Sequence, residues 1–174
     1  FWRASLKHKV AAPLPAVKQL PPVPAKLKSL ALAELELLPR IKWYEGMAAA
    51  WQIGESAAQA KLAAFAAEPI HGYDKQRDIP SEVGTSRLSP HLHFGEISPR
   101  QIWQALLKLP GVGAETYRKE IGWREFAYDL LYHQPQTADH PLRREFADFP
   151  WRDDPEGLRR WQQGQTGYPI VDAG

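Results

Sequence analysis

The 174 residues contain no cysteine, which excludes disulfide bridges, thiolate-bound metals and a cysteine nucleophile. Such usage fits a cytoplasmic protein. Long apolar runs are missing too. None approaches the roughly 18 residues that a membrane-crossing helix needs, and no secretory leader is visible. A dominant charge of one sign is also lacking. The 22 Lys/Arg and 20 Asp/Glu leave a net charge of +2, so binding of nucleic acid by the main body would need local basic clusters rather than an overall field. No apolar run of period two and useful length occurs, and no internal repeat. The expected class is therefore all-α.

What is present is uneven. Residues 1–40 hold seven basic side chains (Arg3, Lys7, Lys9, Lys18, Lys26, Lys28, Arg40) and two acids (Glu34, Glu36), a balance of +5, which leaves −3 for the remainder. Pro13, Pro15, Pro21, Pro22 and Pro24 fall within twelve residues. Proline fixes φ and removes an N–H donor, so residues 10–28 read as an extended connector. The short apolar stretch Leu30 to Leu38 is expected to pack that connector onto a neighbour. Seven tryptophans are unusually many for this length. Most of them are expected in helix packing, although an indole can also stack on a base or a flavin. The chain opens on Phe1 and stops at Asp172-Ala173-Gly174, and both ends read as cuts in a longer protein.

From about Gly54 the pattern turns helical. Ala58, Leu62 and Phe65 recur at helical spacing in an alanine-rich stretch that Pro69 closes. Residues 69–84 read as a loop. Ser98-Pro99-Arg100-Gln101 is a helix start: Ser98 caps, Pro99 suits the first position, and Gln101 completes a capping box. Ile102, Trp103, Leu106 and Leu107 form its expected buried face. A longer helix is predicted from about Ala114 to Tyr132, another from Asp154-Pro155 to before Gly164, and a last one near Pro169.

Two constellations carry chemistry. In Gly84-Thr85-Ser86-Arg87-Leu88-Ser89-Pro90, three hydroxyls and the turn amides can donate to phosphate oxygens, and such amides can form a concave anion site. An ordinary Ser/Thr turn is the simpler alternative. About thirty residues on comes Glu120-Ile121-Gly122-Trp123-Arg124-Glu125-Phe126. At 100° per residue Tyr117, Glu120 and Arg124 lie within about 60° of one another, with Trp123 about 60° from Glu120. The simpler alternative here is a solvated Glu120–Arg124 pair one turn apart. His91 and His93 alternate in a segment without carboxylate neighbours and read as packing or hydrogen-bonding residues. No metal site is expected.

These two motifs, in this order and spacing, resemble the flavin-binding helical domain of DNA photolyases and cryptochromes. Leu92, Gly95, Ile97, Ser98 and Pro99 continue the likeness, as does Gly164-Gln165-Thr166-Gly167-Tyr168-Pro169-Ile170-Val171-Asp172. It runs from about residue 54 to 174 and extends weakly through the connector, where Phe1-Trp2-Arg3 resembles the end of an antenna-domain region. The resemblance implies an all-α fold that is the first half of the FAD-binding domain (54–174), preceded by an interdomain connector (1–53) that follows an α/β antenna domain. It implies FAD as cofactor, held by Tyr73, Thr85, Ser86, Arg87, Leu88, Ser89, Tyr117 and Arg124. A second antenna pigment of folate or deazaflavin type would belong to the antenna domain. Ultraviolet-damaged DNA is the implied partner, with Arg77 on a DNA phosphate and Glu120, Trp123 and Arg124 at the lesion. Trp151 falls where the family has the exposed end of a tryptophan chain that photoreduces the flavin.

The implied activity of the intact protein is light-driven splitting of cyclobutane pyrimidine dimers, a carbon–carbon lyase reaction carried out by a monomer with no membrane. The first half of the domain alone would be inactive. A cryptochrome-like photoreceptor and a photolyase for the (6-4) lesion share the scaffold. Glu120 together with Trp123 favours the cyclobutane-dimer enzyme, because a (6-4) enzyme would more often show glutamine at the acid position.

Overall fold

A computed structural model describes residues 2–24 and 26–173. Phe1 and Gly174, the outer limits of the expected connector and helical part, lie outside the described residues. Among those residues the regular structure is helical, with no strand: α1 Trp2–Ser5, α2 Glu45–Ala50, α3 Glu55–Ala67, α4 Tyr73–Gln76, α5 Ser89–His93, α6 Pro99–Leu106, α7 Val112–His133, α8 Pro155–Gln162 and α9 Pro169–Asp172. No described helix is long and apolar enough to cross a membrane. By contact the chain forms two units, Phe1–Ala127 and Tyr128–Gly174.

The first unit holds the core. In α3 the buried side chains Ala58, Leu62 and Phe65 share one face, as their spacing predicts. The expected loop at 69–84 is in part helical. A 3-10 turn at Pro69–Gly72 leads straight into α4 and buries Ile70 and Tyr73. Elements of four residues leave no periodicity to read. In α6 the capping box is formed: Ser98 Oγ accepts from Gln101 N at 3.2 Å, and Gln101 Oε1 accepts from Ser98 N at 2.7 Å. Ile102 and Leu106 are buried, whereas Leu107, expected on that face, is 51% exposed. It follows the last helical residue, where the face no longer continues. The long helix α7 buries Gly113, Ala114, Tyr117 and Ile121. Gly113 permits its approach to the 3-10 turn, since a Cβ there would lie 2.0 Å from Ile70 O. Together these side chains, with Leu88 and Ile97, make one apolar cluster.

The N-terminal residues contact α6. Trp2 meets Trp103 edge-on at 5.9 Å, and Gln104 Nε2 donates to Val10 O at 3.1 Å. The stretch Leu30 to Leu38 is not packed on a neighbour among the described residues. Leu30, Leu32, Leu35, Leu37 and Leu38 are all exposed, and the 3-10 turn Leu32–Leu35 buries nothing. Five leucines in nine residues are enough to suggest burial, but a single 3-10 turn is too short to gather them on one face.

In the second unit no described residue is buried. Its order is polar. Asp154 Oδ1 caps α8 by accepting from Gly157 N at 2.9 Å. Asp172 ties the turn before α9 by accepting from Thr166 N at 2.8 Å and Gly167 N at 2.9 Å.

Candidate functional site

The hydroxyl-rich loop lies between α4 and α5. Leu88 is fully buried and anchors it, while Thr85, Arg87 and Ser89 are exposed. The loop rests directly on α4: a Cβ at Gly84 would lie 2.5 Å from Gln76 Cβ and 2.7 Å from Gln76 O. Only a residue without a side chain fits there. The amide of Leu88 donates to Ser86 Oγ at 3.3 Å. The amides of Thr85, Ser86, Arg87 and Ser89 donate to no group among the described residues. An outward set of amides and hydroxyls with no carboxylate among them matches an anion such as a diphosphate.

Two tyrosines join this loop to the helices. Tyr73 on α4 and Tyr117 on α7 meet edge-on at 5.0 Å, and Phe65 of α3 touches both, at 5.7 and 4.7 Å. The Tyr117 hydroxyl donates to Ser86 Oγ at 2.8 Å. Burial pushes the Tyr117 phenol up to about 12, against a smaller downward pull from the Ser86 bond. Burial, and then the Glu120 charge, raises Tyr73 as well. Both rings are therefore neutral donors at ordinary pH.

One turn past Tyr117, Glu120 Oε1 accepts from Arg77 Nη1, the residue that follows α4. This pair replaces the local Glu120–Arg124 pair that helix spacing suggests, and Arg124 Nη1 instead donates to Glu125 Oε1 at 3.1 Å. Arg77 Nε also lies 3.4 Å from Asp78 Oδ1, and its guanidinium stands 5.7 Å from the Tyr73 ring centre. The Glu120 hydrogen bond raises the Arg77 pKa above its ordinary value. Trp123 is 60% exposed and touches Phe126 edge-on at 5.7 Å. Tyr73, Arg77, Thr85 to Ser89, Tyr117 and Glu120 are thus brought together, and Trp123 and Arg124 continue the same helix.

Trp151 belongs to the second unit, where it is 77% exposed and packs on Phe149 at 4.8 Å. Arg87 departs from a simple phosphate role. Its backbone is left-handed (φ 51°), and its guanidinium sits 4.7 Å from the centre of Trp51, which Lys61 Nζ approaches at 4.8 Å. Arg87 therefore offers the loop its backbone, with its side chain turned to Trp51. No sequence signal links Trp51 to Arg87, 36 residues later.

His91 requires a correction. It is 2% exposed, and its Nδ1 lies 2.5 Å from Glu96 Oε2. The chain reverses after α5, so that Glu96 N donates to His91 O at 2.9 Å, and this turn supplies the carboxylate neighbour that the linear sequence hides. Its Nε2 is buried with no partner among the described residues.

The chain resembles known proteins along its whole length. The sequence family described as the FAD binding domain of DNA photolyase matches residues 117–174. A deoxyribodipyrimidine photo-lyase of Agrobacterium fabrum is 41% identical over 180 residues, covering 100% of this chain and 38% of that protein. Cryptochrome-1 of Arabidopsis thaliana is 36% identical over 140 residues, covering 74% of this chain and 20% of its own length. Among solved structures, a bacterial class III photolyase from Agrobacterium tumefaciens superposes with a TM-score of 0.90 at 39% identity, over 99% of this chain and 37% of that one. The chain thus spans less than two fifths of the relatives it matches.

Proposed function

The chain belongs to the family of DNA photolyases and cryptochromes, and we propose that it serves a light-dependent lyase that splits cyclobutane pyrimidine dimers in ultraviolet-damaged DNA. Residues 54–174 are the N-terminal part of its FAD-binding helical domain, and 1–53 are the connector before it. The observation that carries the reading is the run of groups from the hydroxyl loop through Tyr117 and Tyr73 to Arg77 and Glu120, with the exposed Trp123 one turn on.

FAD fits the residues present. The open amides of Thr85, Ser86 and Ser89 and the exposed hydroxyls of Thr85 and Ser89 suit its diphosphate, and Leu88 holds their loop in the core. Tyr73, Tyr117, Arg124 and the Arg87 backbone complete the side of the pocket that this chain supplies. When bound in its reduced form, FAD supplies the light-driven electron that opens the dimer. The protein's own part is positional. Enzymes that act on bases in a duplex extrude them, photolyases among them, and the exposed Trp123 indole gives an extruded lesion an aromatic surface. Glu120 accepts from the ring N–H groups of the dimerised bases and so holds the lesion in position. Arg77 meets a DNA phosphate, which fixes register without reading sequence. Trp151 would be the exposed end of a tryptophan chain that passes electrons to the flavin and is itself re-reduced by a reductant in solution. The protein acts as a cytoplasmic monomer.

The test is repair of irradiated oligothymidine by the FAD-loaded protein. Blue light should restore monomers, read as recovered absorbance at 260 nm, and darkness should not. Light-independent repair, or none with fully reduced FAD, would overturn the proposal.

A further inference from the structure

The proposed function gives Arg77 and Glu120 separate duties, one toward a phosphate and one toward the lesion. The structure joins them through a direct hydrogen bond between side chains 43 residues apart. The guanidinium is gripped from three sides. Tyr73 and Asp78 come from its own turn and the residue beside it, and Glu120 comes from α7. The contact is therefore a tie between the end of α4 and the helix that bears the acid. Both side chains are about one-third exposed, at 31% and 35%. Pairs so open to water add little stability, yet a ligand can reach them.

A glutamate has three side-chain torsions and, when untethered, samples many carboxylate positions. A guanidinium fixed on two other supports selects one of them. We propose that Arg77 is a positioning residue for Glu120. It holds the carboxylate where the lesion is read, and so acts on discrimination and repair through Glu120 in addition to its contact with DNA phosphate. This inference rests on the reading of Glu120 as the lesion-binding acid.

The two duties need different chemistry. Attraction to a phosphate needs only charge, whereas aligning a carboxylate needs the directed N–H groups of the planar fork. Arg77→Lys keeps the first and loses the second. Arg77→Gln does the reverse, keeping a hydrogen-bond donor without charge.

The experiment compares the FAD-loaded protein with Arg77→Lys, Arg77→Gln, Glu120→Gln and the Arg77→Lys/Glu120→Gln pair. Binding to an oligonucleotide with one thymine dimer and to its undamaged counterpart is followed over a salt series. Repair per absorbed photon is measured in parallel, and bound-flavin absorbance reports the fold. Arg77→Lys should keep the salt slope but lower the preference for the lesion about fivefold or more, the size expected for side chains in direct contact. It should change nothing further once Glu120 is Gln. Arg77→Gln should lower the salt slope by about one, for one lost phosphate contact, and keep most of the preference. Purely additive effects, or full preference with Arg77→Lys, overturn the inference and leave the role of Glu120 standing. An unchanged preference with Glu120→Gln removes that role, and the inference with it. Should Arg77→Lys lose flavin, the Arg77→Gln arm decides alone: a preference lost along with the salt slope overturns the positioning role.

Discussion

At the scale of single residues, the resemblance implies which side chains form the site, but a linear sequence does not show their partners. Glu120 and Arg124 stand one turn apart, and that spacing alone suggests a local pair. The actual partner of Glu120 is Arg77, and no pattern in a linear chain points across 43 residues. The same holds for the bond from Tyr117 to Ser86, 31 residues away. That bond carries a prediction. The Tyr117 phenol is pushed from 10.0 up to about 12, chiefly by burial. A group raised in the folded state contributes full stability below its unfolded value, and the contribution is lost as pH rises through the folded one. The FAD-loaded protein should therefore lose about 2–3 kcal/mol of stability between pH 10 and 12 through this group. Tyr117→Phe should remove that alkaline loss and cost about 1 kcal/mol at pH 7, where the hydrogen bond to Ser86 is missing. Denaturant midpoints at pH 7 and at successive values above 10 check both signs. An alkaline loss unchanged in Tyr117→Phe would place it elsewhere.

At the scale of elements, legibility follows the range of the signal. The α6 start was readable because the capping box is complete within four residues. The buried face of α3 was readable because Ala58, Leu62 and Phe65 repeat one period. By contrast α4 reads as loop in the sequence, because four residues cannot show a period, and the burial of Tyr73 depends on packing against Phe65 and Tyr117. The hydroxyl motif was visible as a motif, but its seat on α4 was not. Gly84 makes that seat. In Gly84→Ala the new methyl carbon would stand 2.5 Å from Gln76 Cβ and 2.6 Å from its carbonyl carbon. Since one of these is backbone, the loop must move, at a cost of about 1–3 kcal/mol. Its amides and hydroxyls would move with it. Gly84→Ala should thus weaken FAD binding severalfold as well as lower the unfolding midpoint, and flavin fluorescence titration beside thermal unfolding measures both. A destabilised variant with wild-type FAD affinity would show that the loop does not hold the cofactor.

At the scale of the whole molecule, the sequence announced an all-α chain but concealed how unevenly it is buried. Apolar residues become fewer past residue 127, but large apolar side chains such as Trp151, Trp161 and Ile170 continue there. Yet the core cluster runs only from Ala58 to Ile121, and from 128 to 173 no described residue is buried. Trp151, Trp161, Tyr168 and Ile170 are each at least 60% exposed. Patterning could not reveal this, because helix periodicity marks a face as apolar without saying what covers it. Local stability should follow burial, since segments with few apolar contacts open with little free energy. In the 174-residue chain studied alone, hydrogen exchange should divide accordingly. Amides of α3, α6 and the first half of α7 should be protected, and those of α8 should exchange about as fast as the exposed tract around residues 11–24. The polar ties should decide what remains. Asp172 is lowered by its hydrogen bonds from Thr166, so the order it gives is present above its unfolded value of 3.8 and fades as pH falls through the lower folded one. Exchange near residues 166–172 should therefore be somewhat slower at pH 6 than the intrinsic rate, and Asp172→Asn should abolish that difference. Protection in α8 and α9 equal to that in α3 would mean that the second unit is stabilised by contacts other than burial, and would overturn the link between burial and local stability.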